Sequence, residues 1–248
     1  PVASPDGSQI VFAASDSGGQ TMLWVRPLEA PSVRPLPGTE GAVSPFWSPD
    51  GRSLAFFAEG ELRKLSLATG TVEKLCALPQ SGPVGGSWSH DGTVLFSSGG
   101  SSARIYRVSA AGGEVRPLTS HDASRGETGH WWPQFLPDGR RFLFLAGSSA
   151  EAAGLYVASL DRPDERRLIR PGLARALYAP SGHLLFVRDG TLLAQPFDAV
   201  RAELAGEPVA VSQSVAVWQG LPGLSWGWFS ASPSGTLTYL EGEASREF

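Results

Sequence analysis

Apolar residues recur along this chain in short bursts, without the 3.6-residue stripe of a helix. Six runs of four or five residues are rich in β-branched and aromatic side chains: 9–12, 53–57, 93–96, 141–145, 183–187 and 236–240. Each run follows a reverse turn. The turns are Ser4-Pro5-Asp6-Gly7, Ser48-Pro49-Asp50-Gly51, Ser89-His90-Asp91-Gly92, Leu136-Pro137-Asp138-Gly139, Ala179-Pro180-Ser181-Gly182 and Ser232-Pro233-Ser234-Gly235. Their glycines are 44, 41, 47, 43 and 53 residues apart. Proline presets φ at the second turn position, aspartate accepts from amides ahead of it, and glycine takes the positive φ that turns the chain back.

A short strand precedes most turns, as at Pro45-Phe46-Trp47, Gly86-Ser87-Trp88, Pro133-Gln134-Phe135 and Leu177-Tyr178. Third strands follow, such as Met22-Leu23-Trp24-Val25 and Ile105-Tyr106-Arg107-Val108. Fourth strands carry proline or alternating charge, as in Val33-Arg34-Pro35-Leu36, which suits a sheet edge. Four strands per period of about 45 residues is the pattern of a propeller blade. The sequence therefore predicts an all-β, six-bladed β-propeller of four-stranded antiparallel blades with almost no helix. It forms one domain over 1–248, with blades at about 1–41, 42–82, 83–121, 130–172, 173–213 and 225–248. The last blade is expected to be incomplete, and the chain reads as a fragment of a longer protein. The aromatics Trp47, Trp88, Phe135 and Tyr178 share one repeat position and are expected between blades.

Composition narrows the function. The net charge is −4 with no basic run, which argues against nucleic acid as a partner. Arginines outnumber lysines 18 to 2 and asparagine is absent, which reads as the codon bias of a GC-rich genome. The single cysteine, Cys76, falls in a strand alternation and reads as a structural thiol. No apolar run reaches the roughly 20 residues of a membrane helix, so direct membrane insertion by this segment is not expected. No signal peptide is visible.

Two long connections stand out on the predicted scaffold, 119–132 and 212–226. The first holds His121, Asp122, Arg125, Glu127, His130, Trp131 and Trp132; the second holds Trp218, Leu221, Leu224 and Trp226. Arg125, Glu127, His130, Trp131, Trp132, Trp218 and Trp226 are the candidate ligand- or partner-binding residues, because guanidinium forks and indole faces are recognition groups. The competing reading has Arg125 and Glu127 pairing with neighbouring loops and the tryptophans packing between blades. The second connection reads first as a cap over the channel mouth and otherwise as an apolar contact surface. The spacing of His121, Asp122, Glu127 and His130 matches no zinc signature, and single turn aspartates cannot cage calcium, so no metal and no cofactor are expected. Gly223-Leu224-Ser225-Trp226-Gly227 formally matches a hydrolase nucleophile elbow, but a strand follows where that motif needs a helix.

The turn Trp47-Ser48-Pro49-Asp50-Gly51 and its copies resemble the WD40-like (PD40), TolB-type propeller repeats of bacteria. Longer stretches extend the likeness, among them 23–28, 37–41, 106–113, 124–128, 133–139, 185–192 and Gln195-Pro196-Phe197-Asp198. In this order they resemble the propeller that follows the kinase domain and membrane helix of acidobacterial-type serine/threonine protein kinases. The resemblance implies an extracytoplasmic sensor domain, in the periplasm or at the cell surface, attached to a membrane-anchored kinase. Neither a glycine-rich phosphate loop nor a His-Arg-Asp segment is present, so kinase activity does not carry over.

The expected function is thus a noncatalytic propeller that binds a protein, peptide or other envelope ligand, with no enzymatic activity and no catalytic residues in this chain. Two alternatives stand beside it. One is a propeller enzyme, either a lyase or hydrolase or the propeller part of a prolyl-peptidase-like protease. The other is a structural scaffold in an envelope complex.

Overall fold

The computed structural model describes residues 1–148, 152–221 and 224–242, with the side chains of 219–221, 224 and 225 left out. Strands dominate, and helix among the described residues is limited to two 3₁₀ turns, Gly100–Ser102 and Ala123–Arg125. No helix is long and apolar enough to cross a membrane.

The first blade is β1 (Val2–Ala3), β2 (Gln9–Ser15), β3 (Thr21–Pro27) and β4 (Arg34–Pro35). The second is β5 (Val43–Trp47), β6 (Ser53–Ala58), β7 (Glu61–Ser66) and β8 (Val72–Ala77). The third is β9 (Gly86–Trp88), β10 (Thr93–Ser98), β11 (Arg104–Ser109) and β12 (Arg116–Pro117). The fourth is β13 (Glu127–Phe135), β14 (Arg141–Ser148), β15 (Gly154–Ser159) and β16 (Arg167–Pro171). The fifth holds β17 (Ala176–Ala179), β18 (His183–Arg188), β19 (Thr191–Asp198) and β21 (Val209–Ser212), with the short β20 (Glu203–Leu204) pairing on the end of β19. Two hairpins follow: β22 (Val217–Leu221) with β23 (Leu224–Gly227), and β24 (Phe229–Ala231) with β25 (Leu237–Tyr239).

The expected six-bladed ring is corrected to five blades. Turn spacing counts reverse turns, and the last one, Ser232–Gly235, joins only the two strands β24 and β25. Residues 243–248 of the expected last blade lie outside the described residues.

The turn chemistry is as expected. Ser48 Oγ donates to Asp50 at 2.6 Å and accepts from the Ser53 amide at 2.9 Å, while Asp50 accepts from the Arg52 amide at 3.0 Å. The same pattern recurs at Ser4 with Asp6 and at Ser89 with Asp91. These bonds favour the charged carboxylate and pull Asp6 down to about 2.

The blades pack face to face through their second strands. Phe56 and Leu54 meet Val11, Leu23 and Val25 of the first blade, while Phe57 and Ala55 face Val94 and Phe96 of the third. Trp47, Trp88 and Phe135 pack partly buried at these seams, and Tyr178 is buried in one. Inner strands are also tied directly. Phe135 N donates to Ser87 Oγ at 3.0 Å, and the Gln134 amide makes two bonds with the Tyr178 backbone, at 2.7 and 3.0 Å.

The β24–β25 hairpin stands between the fifth blade and the first. Phe229 buries against Leu185 and Val187. On the other side Ala3 N donates to Ser230 Oγ at 3.0 Å, Ser234 N to Pro5 O at 3.2 Å and Thr236 Oγ1 to Gly7 O at 3.3 Å. Two strands cover less than four. Ile10, Phe12 and Ala14 of β2 therefore stay half-buried, whereas five consecutive residues of β6 are buried.

Connections from each outer strand to the next inner strand emerge on one face, called here the upper face. The Ser-Pro-Asp-Gly turns lie on the opposite one.

Removing the fully buried Phe56 ring leaves a cavity between two blades. Phe56→Ala is expected to cost about 3–5 kcal/mol in urea unfolding, whereas Val200→Ala, at a position 82% exposed, should change stability by less than about 0.5 kcal/mol.

Candidate functional site

The structure splits the seven candidate residues into three groups. Glu127, His130 and Trp131 are buried, Arg125 is exposed, and Trp132, Trp218 and Trp226 meet on the upper face. The expected loop 119–132 is in fact shorter, because the inner strand β13 already begins at Glu127. Two register shifts let it do so, one between Glu127 and Gly129 and one between Trp131 and Gln134. Each bulge re-aims side chains that strict alternation would place elsewhere.

Glu127 and His130 form a sealed clamp, with both side chains fully buried. Glu127 Oε2 accepts from Arg166 Nη2 at 2.6 Å, from the Asp122 amide at 2.7 Å and from His130 Nε2 at 3.1 Å. His130 Nδ1 lies 2.9 Å from Thr119 Oγ1, which itself accepts from the Ile105 amide at 3.1 Å. A carboxylate can only accept, so His130 carries its proton on Nε2 and Nδ1 receives the Thr119 hydroxyl. Burial, helped by the nearby Arg166 charge, pushes His130 down to about 3, so its ring is neutral at pH 7. Glu127 Oε1 and Arg166 Nε make no hydrogen bond among the described residues. Sealed from solvent, these groups tie the third-to-fourth blade connection to the segment before β16. The His121 ring meets His130 edge-on, and its Nε2 lies 2.9 Å from the Ala103 carbonyl.

Trp131 is packing. Its ring lies where Cβ atoms of the paired Gly129 and Gly147 would stand, and its Nε1 donates to Gly100 O at 2.7 Å. Arg125 lies in the 3₁₀ turn, paired with Asp122 at 3.2 Å, away from the tryptophans.

The upper face gathers the others. Trp132 sits in the second bulge with φ of 51°, a left-handed conformation costly for a bulky residue. Its ring meets Trp226 edge-on at 5.2 Å, and Trp226 stacks on Trp218 at 3.9 Å and lies 6.2 Å from Trp228. The expected connection 212–226 is thus largely the β22–β23 hairpin, folded so that its tryptophans reach across to the fourth blade. Within the elbow-like segment, Gly223 lies outside the described residues, and Leu224–Gly227 is a strand rather than the start of a helix.

Sequence reading missed three arginines on the same face, Arg170, Arg175 and Arg188. Arg175, one residue before β17, is half-buried; its guanidinium lies 5.6 Å from the Phe229 ring centre and donates to Phe229 O at 3.5 Å. Burial lowers it to about 10, still charged at neutral pH. Arg170 stacks over Phe186 at 3.9 Å and is lowered first by burial and then by the charge of Arg188. Position in the repeat was the available signal: Arg188 ends β18, Arg170 is the last residue but one of β16, and Arg175 stands just before β17. The arginine excess, read as codon bias, hid it.

No family model matches the chain. It is 33% identical over 150 residues to a Bacillus subtilis (strain 168) protein described as the uncharacterized peptidase YuxL. That match takes in 58% of this chain and 21% of the relative, so the chain spans only about a fifth of its length. Among solved structures, TolB from Acinetobacter baumannii superposes with a TM-score of 0.67 at 16% identity, over 91% of this chain and 55% of that one. A prolyl endopeptidase superposes with a TM-score of 0.57 at 17% identity, over 97% of this chain and 41% of that one. The chain therefore has a TolB-like propeller fold, which it shares with peptidase propellers. The expectation that the chain has no enzymatic role is corrected, since the sequence relative it matches is described as a peptidase.

The buried clamp generates two predictions. Arg166→Met leaves Glu127 buried without its cation and should cost about 3–5 kcal/mol in urea unfolding. The His130 contribution has a definite pH sign. The unfolded imidazole takes its proton near pH 6.5 and the folded one only near 3, so its stabilising effect is intact above about 6.5 and drains away as pH falls toward 3. Unfolding free energies at pH 7 and pH 4.5 should therefore differ more for the wild type than for His130→Asn.

Proposed function

We propose that this propeller belongs to a peptidase-like protein and receives the peptide substrate on its upper face, at the Trp132, Trp218 and Trp226 group. The observation that carries the reading is the 33% identity to a protein described as a peptidase. The face supports it, because rigid indole planes make large contacts at low entropic cost, which suits an extended chain. Of the residues singled out in the sequence, this reading keeps these three tryptophans as contacts. It treats Glu127, His130 and Trp131 as the support beneath them and gives Arg125 no contact.

A second reading keeps the propeller as an extracytoplasmic module that binds a protein or peptide and reports to an attached membrane-anchored kinase. The higher TM-score to TolB, 0.67 against 0.57, and the ordered sequence likeness favour it. Both readings place a peptide or protein on the same face and part on whether it is cut.

The complete gene product, incubated with a mixed peptide digest and followed by mass spectrometry, is expected to cleave peptides. The Trp132→Ala/Trp226→Ala variant should lower kcat/KM by about tenfold or more, in line with loss of aromatic contacts worth 1–2 kcal/mol, with its melting temperature as the check on folding. An intact complete protein that cleaves no peptide overturns the peptidase reading.

A further inference from the structure

Three arginines of the upper face, the half-buried Arg170 and Arg175 and the exposed Arg188, have no carboxylate partner among the described residues. Among the described residues, no carboxylate lies within ion-pair distance of Arg170, Arg175 or Arg188, although thirteen ion-pair contacts occur elsewhere. Asp189, in the turn next to Arg188, pairs with none of them. Most of the chain's other arginines answer a carboxylate, including Arg63, Arg116, Arg140, Arg141 and Arg166. A half-buried guanidinium loses hydration, and one carbonyl at 3.5 Å replaces little of it.

Position makes Arg175 the focus. It lies on the connection from the fourth blade to the fifth. Leu173, two residues earlier, packs against the buried cluster of Ala103, Trp131 and Leu145, as Trp132 does. The guanidinium then reaches β24, whose neighbour on the other side is β1, and its charge is felt at Pro1. Arg175 therefore lies near the inner strands, against Phe229, whose ring stands beside Gly227, the residue that follows Trp226. Arg170 and Arg188 lie farther out on the same face and add positive potential, partly offset by Asp189.

We propose that Arg175 anchors a carboxylate of a bound peptide, either its free C-terminus or an acidic side chain, with Trp132 and Trp226 flanking the adjoining residues. The inference rests on reading the upper face as the peptide-receiving face. A planar fork takes both oxygens of a carboxylate, and an anchor already held against Phe229 needs little reordering to bind. Low-dielectric aromatic walls strengthen the contact.

Binding without cleavage tests this separately from peptidase activity. The 248-residue chain is titrated by tryptophan fluorescence with acetyl-tetraalanine, its C-terminal amide, and acetyl-Ala-Asp-Ala-Ala-amide. At least one carboxylate peptide should bind about tenfold or more tightly than the neutral amide, the size of one charge-assisted hydrogen bond, and which one does identifies the source of the carboxylate. Arg175→Ala should bring all three within about twofold of each other, Arg175→Lys should keep part of the preference, and Arg116→Ala on the rim should keep it whole. Should Arg175→Ala fail to fold, the Lys variant and the wild-type acid-to-amide ratio still decide. Equal binding of acid and amide, a preference that survives Arg175→Ala, or binding of trigalacturonate with neither acidic peptide would each overturn the proposal.

Discussion

A strand that is apolar on both faces cannot lie at the outside of anything. The second strand of the middle blades is such a strand: in β6, β10 and β14 nearly every residue is buried, with Phe56 and Phe57, or Leu143 and Phe144, pointing to opposite sides. Each therefore needs a sheet against each face, and each of those sheets needs another. The requirement ends only when the chain comes round on itself. That is why the β24–β25 hairpin matters beyond its size: with two strands it covers Leu185 and Val187 on one side and holds β1 and the first turn on the other. The half-buried face of β2 marks the limit of what two strands can cover.

The turns were legible because their chemistry is local. Ser48, Asp50 and Gly51 satisfy one another and the adjacent amides within six residues, so four letters suffice to find them. Counting blades from turns failed for the same reason. A turn reports two strands, and the outer pair of a blade depends on what lies beside it. The β22–β23 hairpin was missed because it lacks this chemistry; its glycine-spaced aromatic stretch reads as a loop until Trp218 and Trp226 pair across it.

The polar and aromatic density of 121–132 divides into support and surface. Histidine, glutamate and tryptophan suit a ligand site and suit a buried clamp equally well. What separates them here is Arg166, 39 residues beyond Glu127, which neutralises the carboxylate inside the protein. No local pattern predicts that encounter. The bulge at Trp132 is equally invisible in sequence, because it appears only when β13 and β14 pair out of step.

Clamp and surface are mechanically one arrangement. Glu127 and His130 fix the first half of β13, the Trp131 ring fills the trough over Gly129 and Gly147, and the next residue is left in a left-handed bulge that strand pairing does not favour. Such a conformation persists only where its surroundings hold it on both sides. Here the clamp holds one side and the Gln134 bonds to Tyr178 hold the other. The cost of burying an ion pair and bending a strand is thus converted into a rigid position for Trp132, facing Trp226. A face with its indoles already placed, and with Arg175 paired to no carboxylate among the described residues, is ordered for contact before any partner arrives, which is the condition under which modest area gives useful affinity.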